Sequence, residues 1–136
     1  MPRIGMNPGR NRKTGYHPAR VTLAVLTHVP NLTGYFEHRF DVLRLCLESL
    51  IANTPEPYDL MVFDNGSCPP VVDYLRELRD AGAIHYLMLS SQNIGKIGAL
   101  QILFRACPGE VIAYNDDDVF FLPGWLDAHL QILDTY

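Results

Sequence analysis

The chain has 136 residues, of which 48% are hydrophobic, 19% charged and 10% aromatic, and its formal net charge is −4. This length suits one domain with a substantial core, and the composition excludes a disordered acidic tail, a collagen-like repeat and a coiled-coil rod. No apolar run approaches the roughly 18 residues of a membrane span, and the first residues lack the apolar core of a secretory signal, so we expect a cytoplasmic protein.

Charge is spread unevenly along the chain. Residues 1–20 hold five basic residues and no acidic one, whereas the rest holds six basic against fifteen acidic residues. Such an acidic body would repel a phosphate backbone, which excludes nucleic acid as a partner. The arm over residues 1–20 is rich in Gly, Pro and Asn, and we interpret it as a solvated lead-in. Contact of this arm with phosphate or with an anionic membrane surface stays open as the alternative. Its basic residues are Arg3, Arg10, Arg12, Lys13 and Arg20.

From residue 21 onward the pattern alternates strand and helix. Residues 21–27 are β-rich and apolar at nearly every position, which predicts a strand buried on both faces. Residues 40–52 predict a helix that ends before the prolines at positions 55 and 57, since proline cannot continue a helix. Its inner face is predicted to carry Val42, Leu45, Cys46, Ser49 and Leu50.

The same alternation continues to the last residue. Residues 60–63 predict a second strand, and Pro69 opens a helix in whose first turn a missing N–H has no cost. A third strand is predicted over residues 84–89, followed by a helix that begins after Gly95 and runs to about Ala106. A fourth strand over residues 110–114 precedes a last helix that starts near Pro123.

The order β-α-β-α-β-α-β-α predicts an α/β fold. Helical connections of this length imply a Rossmann-like parallel sheet with right-handed crossovers and helices on both faces. No linker divides the stretch, so we expect a basic arm over residues 1–20 and one domain over residues 21–136. In an open parallel sheet, ligands bind beyond the carboxyl ends of the strands. All four predicted strands end in polar or Gly-containing sequence on that side.

Three adjacent carboxylates, Asp116, Asp117 and Asp118, follow the fourth predicted strand. Neighbouring charges repel by ~4 kcal/mol per close pair near a protein surface, so such a run indicates a use for the charge. Oxygen donors at alternate positions suit Mg²⁺ or Mn²⁺, which also bind the phosphates of a substrate. Along an extended chain Asp116 and Asp118 would share a side, with Asp117 facing away. The alternative is a solvated acidic loop that caps the next helix.

Two further strand ends carry candidate binding residues. Asp64 can accept a hydrogen bond from the N–H of a base or from a ribose hydroxyl, or it can bond the amides that follow it in a turn. Residues 93–96 precede a helix N-terminus, whose free N–H groups attract anions, and Lys96 adds a cationic donor. Simple capping of that helix is the alternative. A calcium-binding EF-hand loop, a GxxxxGK[ST] phosphate loop and a GxSxG nucleophile are all absent from the sequence.

Taken in order, these blocks resemble family 2 glycosyltransferases of the GT-A fold, from Val21 to about Ile132. Residues 62–67 are similar to the family's strand-D-(N/D)-(G/A)-S, and residues 93–99 to its N-x-G-x-x-x-A. Residues 114–119 resemble its DXD region, and residues 122–126 the P-x-W-L that follows. Each block is weak alone, but four in the right order, each at a strand end, make a specific match.

The resemblance implies a role for each candidate residue. Thr27 and Asp64 would hold the nucleobase, and Asn93 and Lys96 would lie near the ribose and phosphates. Asp116 would sit by the ribose or sugar, and Asp118 would bind a divalent cation, Mn²⁺ or Mg²⁺, with Asp116 as the other candidate ligand. The implied activity transfers a sugar from a UDP-, GDP- or dTDP-sugar to an acceptor hydroxyl, usually by inversion in this family.

The sequence departs from the family after the DXD region. Family members continue into elements that bind the acceptor and supply an Asp or Glu general base. Here only Asp127 and Asp134 follow, both on the last predicted helix, so we identify no catalytic base and expect the donor-binding half without the acceptor-binding half. Self-association through the face left open is a further expectation. A non-catalytic nucleotide-binding or assembly module, and a nucleotidyltransferase, remain as alternative functions.

Overall fold

Each strand coincides with an apolar stretch of the sequence. The computed structural model describes residues 4–10, 12 and 14–136. The predicted basic arm is therefore described only in part, because Arg3 and Lys13 lie outside the described residues. The elements are β1 (Val21–Thr27), α1 (Arg39–Ala52), β2 (Asp59–Asn65), α2 (Pro69–Asp80), β3 (Tyr86–Ser90), α3 (Lys96–Ala106), β4 (Val111–Asp116) and α4 (Trp125–Thr135), with a 3-10 turn at Gly34–Phe36 before α1.

The sheet is parallel throughout, in the spatial order β3-β2-β1-β4. From β1 the chain moves to β2 and β3 on one side, then returns to place β4 on the other side of β1. Because parallel β-α-β connections are right-handed, this reversal puts α3 on the opposite face of the sheet from α1 and α2. The predicted α/β fold with helices on both faces is confirmed, and the strand order reverses between β1 and β4.

The core lies on both faces of β1 and β2, as alternation along an extended strand requires. On one face Leu23 and Val25 pack with buried side chains of α1 and α2 and with Leu126 of α4. On the other face Ala24 packs in a smaller cluster with Leu103 of α3. Burial on both faces explains why β1 is apolar at nearly every position, and each fully buried leucine contributes roughly 1.5–3 kcal/mol.

The predicted inner face of α1 is wrong at two positions. Leu43 and Leu47 are fully buried there, whereas Leu45 is 55% exposed and Val42 only half-buried. Cys46, Ser49 and Leu50 are buried as predicted. Apolar residues occupy most positions of this segment, so two neighbouring helical stripes fit the sequence equally well. Packing against the sheet selects the stripe that contains Leu43 and Leu47.

Several element boundaries differ from those predicted, including those of the second strand, which is Asp59–Asn65 rather than residues 60–63. The third strand begins at Tyr86 rather than residue 84, and the last helix begins at Trp125 rather than near Pro123. Gly124, directly before that helix, has a φ of +82°, a left-handed conformation that glycine adopts without strain. The fourth strand continues through Asp116, since its pairing with β1 extends to Leu26. The first aspartate of the triplet is therefore part of β4.

The described part of the arm is exposed over residues 4–10, 12 and 14–18, and within it the Tyr16 hydroxyl is hydrogen-bonded to the Tyr86 hydroxyl of β3. Its last residues contact the body: the Ala19 N–H donates to Asp59 at 2.9 Å, and Arg20 pairs with Asp134 at 2.5 Å. None of the helices in the described ranges combines the length and hydropathy needed to cross a bilayer. Self-association stays a prediction; exposed apolar side chains on α3 and β4 include Ile97, Ile102, Phe104 and Ile112.

Candidate functional site

A polar cleft of about 270 Å³ lies at the carboxyl ends of the strands, beside the point where strand order reverses. This is the edge at which the parallel topology predicts a ligand. The cleft collects residues from the ends of β1, β2 and β4 and from the starts of α1 and α3. The residues that line it are Leu26, His28, Arg39, Asn65, Asn93, Gly95, Lys96, Tyr114, Asp116 and Asp117.

The middle aspartate of the triplet is buried and fully paired. Asp117 is 8% exposed, and its two carboxylate oxygens have different partners. Oδ2 accepts a hydrogen bond from the Thr27 hydroxyl at 2.8 Å, and Oδ1 accepts one from Arg39 Nη2 at 2.6 Å. Since a buried charge is costly unless it is paired, these two bonds explain how a carboxylate is accommodated here. They also tie the ends of β1 and β4 to the start of α1.

The outer two aspartates are exposed, with 57% of the Asp116 side chain and 55% of the Asp118 side chain accessible. Asp116 lines the cleft, where it accepts from the Tyr114 hydroxyl at 2.9 Å and lies 3.8 Å from Lys96 Nζ. Asp118 lies 3.8 Å from Arg39 Nη1 and borders a neighbouring apolar groove. The predicted arrangement, with Asp116 and Asp118 on one side and Asp117 facing away, is wrong: Asp116 and Asp117 line the cleft and Asp118 does not. The reason is that residues 117–118 form a turn instead of continuing the strand.

Thr27 and Asp64 lie directly opposite each other in the β1–β2 register. Both are buried, and the Thr27 hydroxyl is engaged by Asp117. Asp64 Oδ2 accepts from the Ser67 N–H at 3.1 Å, so the turn considered from the sequence is present. Its other oxygen, Oδ1, is buried and has no hydrogen-bond partner among the described residues. Burial raises the pKa of Asp64, an effect that the hydrogen bonds from Ser67 oppose only in part.

Asn93 and Lys96 are brought to the same cleft by the segment between β3 and α3. No side chain of the described residues caps the N-terminus of α3, where Gly95 is the N-cap residue. Asn93 therefore does not cap the helix, which was the alternative considered from the sequence. Its Oδ1 accepts from the N–H of the N-cap residue Gly95 at 2.9 Å and not from an N–H of the first helical turn. The first turn of α3 and the two-thirds exposed Lys96 ammonium are available to an anion.

Four polar lining residues, His28, Arg39, Asn65 and Tyr114, were not among the candidates from the sequence. His28 directly follows β1, and Asn65 is the last residue of β2. Their position at the polar ends of apolar strands indicates from the sequence that they lie near the site. Tyr114 lies within the strand before the triplet, and burial raises its pKa, with the hydrogen bond to Asp116 as a second cause. Arg39 had no such signal, because its pairing with Asp117 spans 78 positions of the chain.

The exposed carboxylates fit a hard divalent cation. Among the described residues no cluster of three or more His, Cys, Asp or Glu side chains could hold a metal ion by itself. Mg²⁺ is usually held by one or two carboxylates, with water and substrate phosphates as the remaining ligands. Asp116 and Asp118 can supply that number of oxygen donors, so a cation bound together with a diphosphate suits this donor set.

Comparison with known proteins gives one consistent family. The model of the family described as "Glycosyl transferase family 2" matches residues 35–136. A curated relative, an uncharacterised glycosyltransferase of Nostoc sp. strain PCC 7120, is 26% identical over 93 residues, which cover 68% of this chain and 29% of the relative.

Solved structures share the fold of this chain. Residues 1–349 of TarS from S. aureus superpose with a TM-score of 0.67 at 15% identity, covering 86% of this chain and 33% of that one. The mannosyltransferase PcManGT from Pyrobaculum calidifontis, solved with GDP-mannose and Mn²⁺, gives a TM-score of 0.66 at 20% identity, with coverage of 86% and 33%. The chain thus spans about a third of the length of these proteins. The similarity shows that this part has the same fold in all of them.

Proposed function

The chain belongs to glycosyl transferase family 2, a family of transferases, and we propose that its cleft binds the donor, a nucleotide-diphosphate sugar, for transfer of the sugar to an acceptor hydroxyl. One observation carries the proposal: the strand ends and the start of α3 bring Asn93, Lys96 and Asp116 into one polar cleft. TarS has been solved with UDP and PcManGT with GDP-mannose. These neighbours support UDP- and GDP-sugars as candidate donors, and dTDP-sugars stay a third candidate from the family resemblance.

The nucleobase is assigned to the ends of β1 and β2. Asp64 Oδ1 is a buried acceptor without a partner, and such an atom gains a hydrogen bond when a base N–H reaches it. Thr27 stands beside it on the neighbouring strand. Because Asp64 is fully buried, binding by this route requires the residues that cover it to move apart. Recognition of the base by Asp64 thus requires a conformational change of the protein.

The phosphates are assigned to the start of α3. Lys96 carries a positive charge beside the uncapped helix N-terminus, and both favour an anion. Its present neighbour, Asp116, lies 3.8 Å away, and both side chains are more than half exposed. An exposed ion pair of this kind contributes little to stability, so Lys96 can leave Asp116 and pair with a diphosphate at little cost in free energy. Asn93 borders the same position and would face the ribose.

The divalent cation, Mn²⁺ or Mg²⁺, is assigned to Asp118 and Asp116. When bound, it supplies Lewis-acid neutralisation of the charge on the departing nucleoside diphosphate. The chain itself would hold two exposed carboxylates, Asp116 in the cleft and Asp118 beside the neighbouring groove. Arg39 contacts Asp117 at 2.6 Å and Asp118 only at 3.8 Å, so its closer partner is the buried aspartate.

The described residues supply the donor site and no base for the acceptor. Asp127 and Asp134 line a groove with Arg20 that is separate from the cleft, and Asp134 is bound to Arg20. We therefore propose that residues 21–136 form the donor-binding domain and that the acceptor and its general base are bound by other residues. The share of its relatives that the chain spans, about a third, is consistent with this division.

Calorimetric titration of the chain with UDP, GDP and dTDP, each with and without Mn²⁺, tests the proposal. We expect one of the three to bind, and its affinity to rise with Mn²⁺. The variant Asp118→Ala should lose about tenfold or more of the Mn²⁺-dependent affinity, since it removes one charge-assisted interaction.

Asp73→Ala is the matched control, because Asp73 is an exposed acid on α2 outside the cleft and its loss removes the same charge. It should leave nucleotide affinity unchanged. Absence of binding by all three nucleotides would contradict the proposal. Equal losses in Asp118→Ala and Asp73→Ala would contradict the assignment of the cation.

A further inference from the structure

Asn65, the last residue of β2, uses its whole side chain to hold one segment of the cleft. It is 3% exposed. Its Oδ1 accepts from the Ile94 N–H at 2.9 Å, and its Nδ2 donates to Asn93 Oδ1 at 3.0 Å and to the Gly95 carbonyl at 3.4 Å. Both N–H donors of the amide are thus engaged. Every bond of the side chain reaches residues 93–95.

The same amide belongs to a closed ring of hydrogen bonds. Asn93 Oδ1 accepts from Asn65 and also from the Gly95 N–H at 2.9 Å, so the Asn93 amide is oriented with Nδ2 toward His28. A longer contact of 3.5 Å joins this Nδ2 to His28 Nε2, and His28 Nδ1 donates to the Asn65 carbonyl at 2.7 Å. The ring links the ends of β1 and β2 to the segment after β3.

Close backbone packing reinforces the ring. Gly66 has a φ of +76°, and a Cβ at this position would lie 2.7 Å from Asn93 N and 2.7 Å from the Gln92 carbonyl carbon. Only glycine tolerates both the conformation and the contact. The segment after β3 is therefore held against the end of β2 by contact as well as by hydrogen bonds.

Residues 93–95 lead directly into α3, with Gly95 as its N-cap residue and Lys96 as its first residue. The positions of the Lys96 ammonium and of the first-turn N–H groups depend on this segment. We propose that Asn65 is a positioning residue that fixes residues 93–95 and thereby aims the start of α3 at the diphosphate of the donor. The inference rests on the proposed function, and it assigns to Asn65 no contact with the ligand.

The variant Asn65→Asp is the direct test, because it keeps the shape and replaces the donor Nδ2 by an acceptor. A carboxylate oxygen there would face Asn93 Oδ1 and the Gly95 carbonyl, two acceptors that cannot bond to it. We expect the affinity for whichever of UDP, GDP or dTDP binds the wild type, measured with Mn²⁺, to fall by about tenfold or more.

Asn53→Asp is the matched control. Asn53 Nδ2 donates to the Phe121 carbonyl at 2.8 Å, beyond the end of α1 and away from the cleft. Its variant removes the same kind of bond, so it should lower the melting temperature while nucleotide affinity stays unchanged. If Asn65→Asp does not fold, Asn65→Ala replaces it, since that variant removes the three bonds without burying a charge.

A double-mutant cycle with Lys96→Ala distinguishes positioning from general destabilisation. If Asn65 acts through Lys96 and the start of α3, the fold-loss of affinity in the double variant is clearly smaller than the product of the two single-variant fold-losses. Independent, fully multiplicative losses would overturn the inference, as would full affinity in a folded Asn65 variant. An equal loss of affinity in Asn53→Asp would also overturn it. Absence of nucleotide binding by the wild type would instead overturn the proposed function, and this inference with it.

Discussion

Two sets of polar side chains meet at the carboxyl edge of the sheet, and they differ in burial. The buried polar group, Thr27, Asp64, Asn65 and Asp117, is at most 8% exposed in every member. The exposed polar group, Lys96, Asp116 and Asp118, has more than half of each side chain accessible. The contrast is sharpest inside the triplet, where consecutive aspartates fall into different groups.

Burial determines what each group can do. Members of the buried polar group bond mostly to other parts of the protein, because an unpaired polar atom in the interior costs about 1–3 kcal/mol. Members of the exposed polar group form only exposed ion pairs at 3.8 Å, apart from the hydrogen bond that Asp116 accepts from Tyr114, so their charges remain accessible to a ligand. A run of like residues at a strand end therefore does not have one function. One aspartate holds the edge together, and its neighbours carry exposed carboxylates, which we propose bind a cation.

The largest expected effect on folding comes from Asp117→Ala. Removing this carboxylate leaves Arg39 without its closest partner and Thr27 without its acceptor. We expect the free energy of unfolding to fall by about 3 kcal/mol, near the lower end for breaking a buried pair, since Arg39 is a quarter exposed. Denaturant unfolding of Asp117→Ala and Asp118→Ala measures the contrast, and Asp118→Ala should change stability by less than about 0.5 kcal/mol. Equal losses in both variants would remove the distinction between the two groups.

A smaller effect of opposite sign is expected for Asp64→Asn. Burial holds the pKa of Asp64 above its ordinary value of 3.8, so the folded protein keeps this proton at a pH where the unfolded chain has lost it. Stability therefore falls as the pH rises from 3.8 through the raised pKa, and the ionised carboxylate destabilises the fold at neutral pH. Asp64→Asn should stabilise the protein by about 1 kcal/mol at neutral pH and weaken nucleotide binding.

Thermal unfolding of Asp64→Asn across a pH series checks the sign. The advantage of the variant should shrink as the pH falls through the raised pKa toward 3.8. A variant that is less stable than the wild type at neutral pH would show that the carboxylate is better satisfied than its unpartnered Oδ1 indicates.

The smallest effect on folding is expected for Lys96→Ala. Its pairing with Asp116 at 3.8 Å is exposed, so the free energy of unfolding should change by less than about 0.5 kcal/mol. Nucleoside diphosphate affinity should fall several-fold, and salt should reduce the difference because exposed charges are screened. Arg76→Ala on α2, an exposed residue outside the cleft, is the control and should leave affinity unchanged. A Lys96 variant with full affinity at low salt would exclude Lys96 from the phosphate site.

Much of the edge could be predicted from the sequence, because its cause is local. The apolar run of residues 21–27 predicts β1, and parallel topology then predicts that the polar strand ends meet. The inner face of α1 could not be predicted, since its segment is apolar at most positions and only the sheet selects Leu43 over Leu45. The burial of Asp117 could not be predicted either. It depends on contacts with Arg39 and Thr27, which lie 78 and 90 positions away in the sequence.

We propose that the exposed polar group holds a nucleoside diphosphate and a divalent cation at this cleft. Paramagnetic Mn²⁺ added to the ¹⁵N-labelled chain with UDP or GDP tests it most directly, since the ion broadens the amide signals that lie near it. We predict broadening at residues 95–96 and 116–118 and none at residues 79–82, at the end of α2. Broadening that misses residues 116–118 would show that the cation binds elsewhere. Broadening that is the same with and without nucleotide would show that the cation and the nucleotide do not bind together.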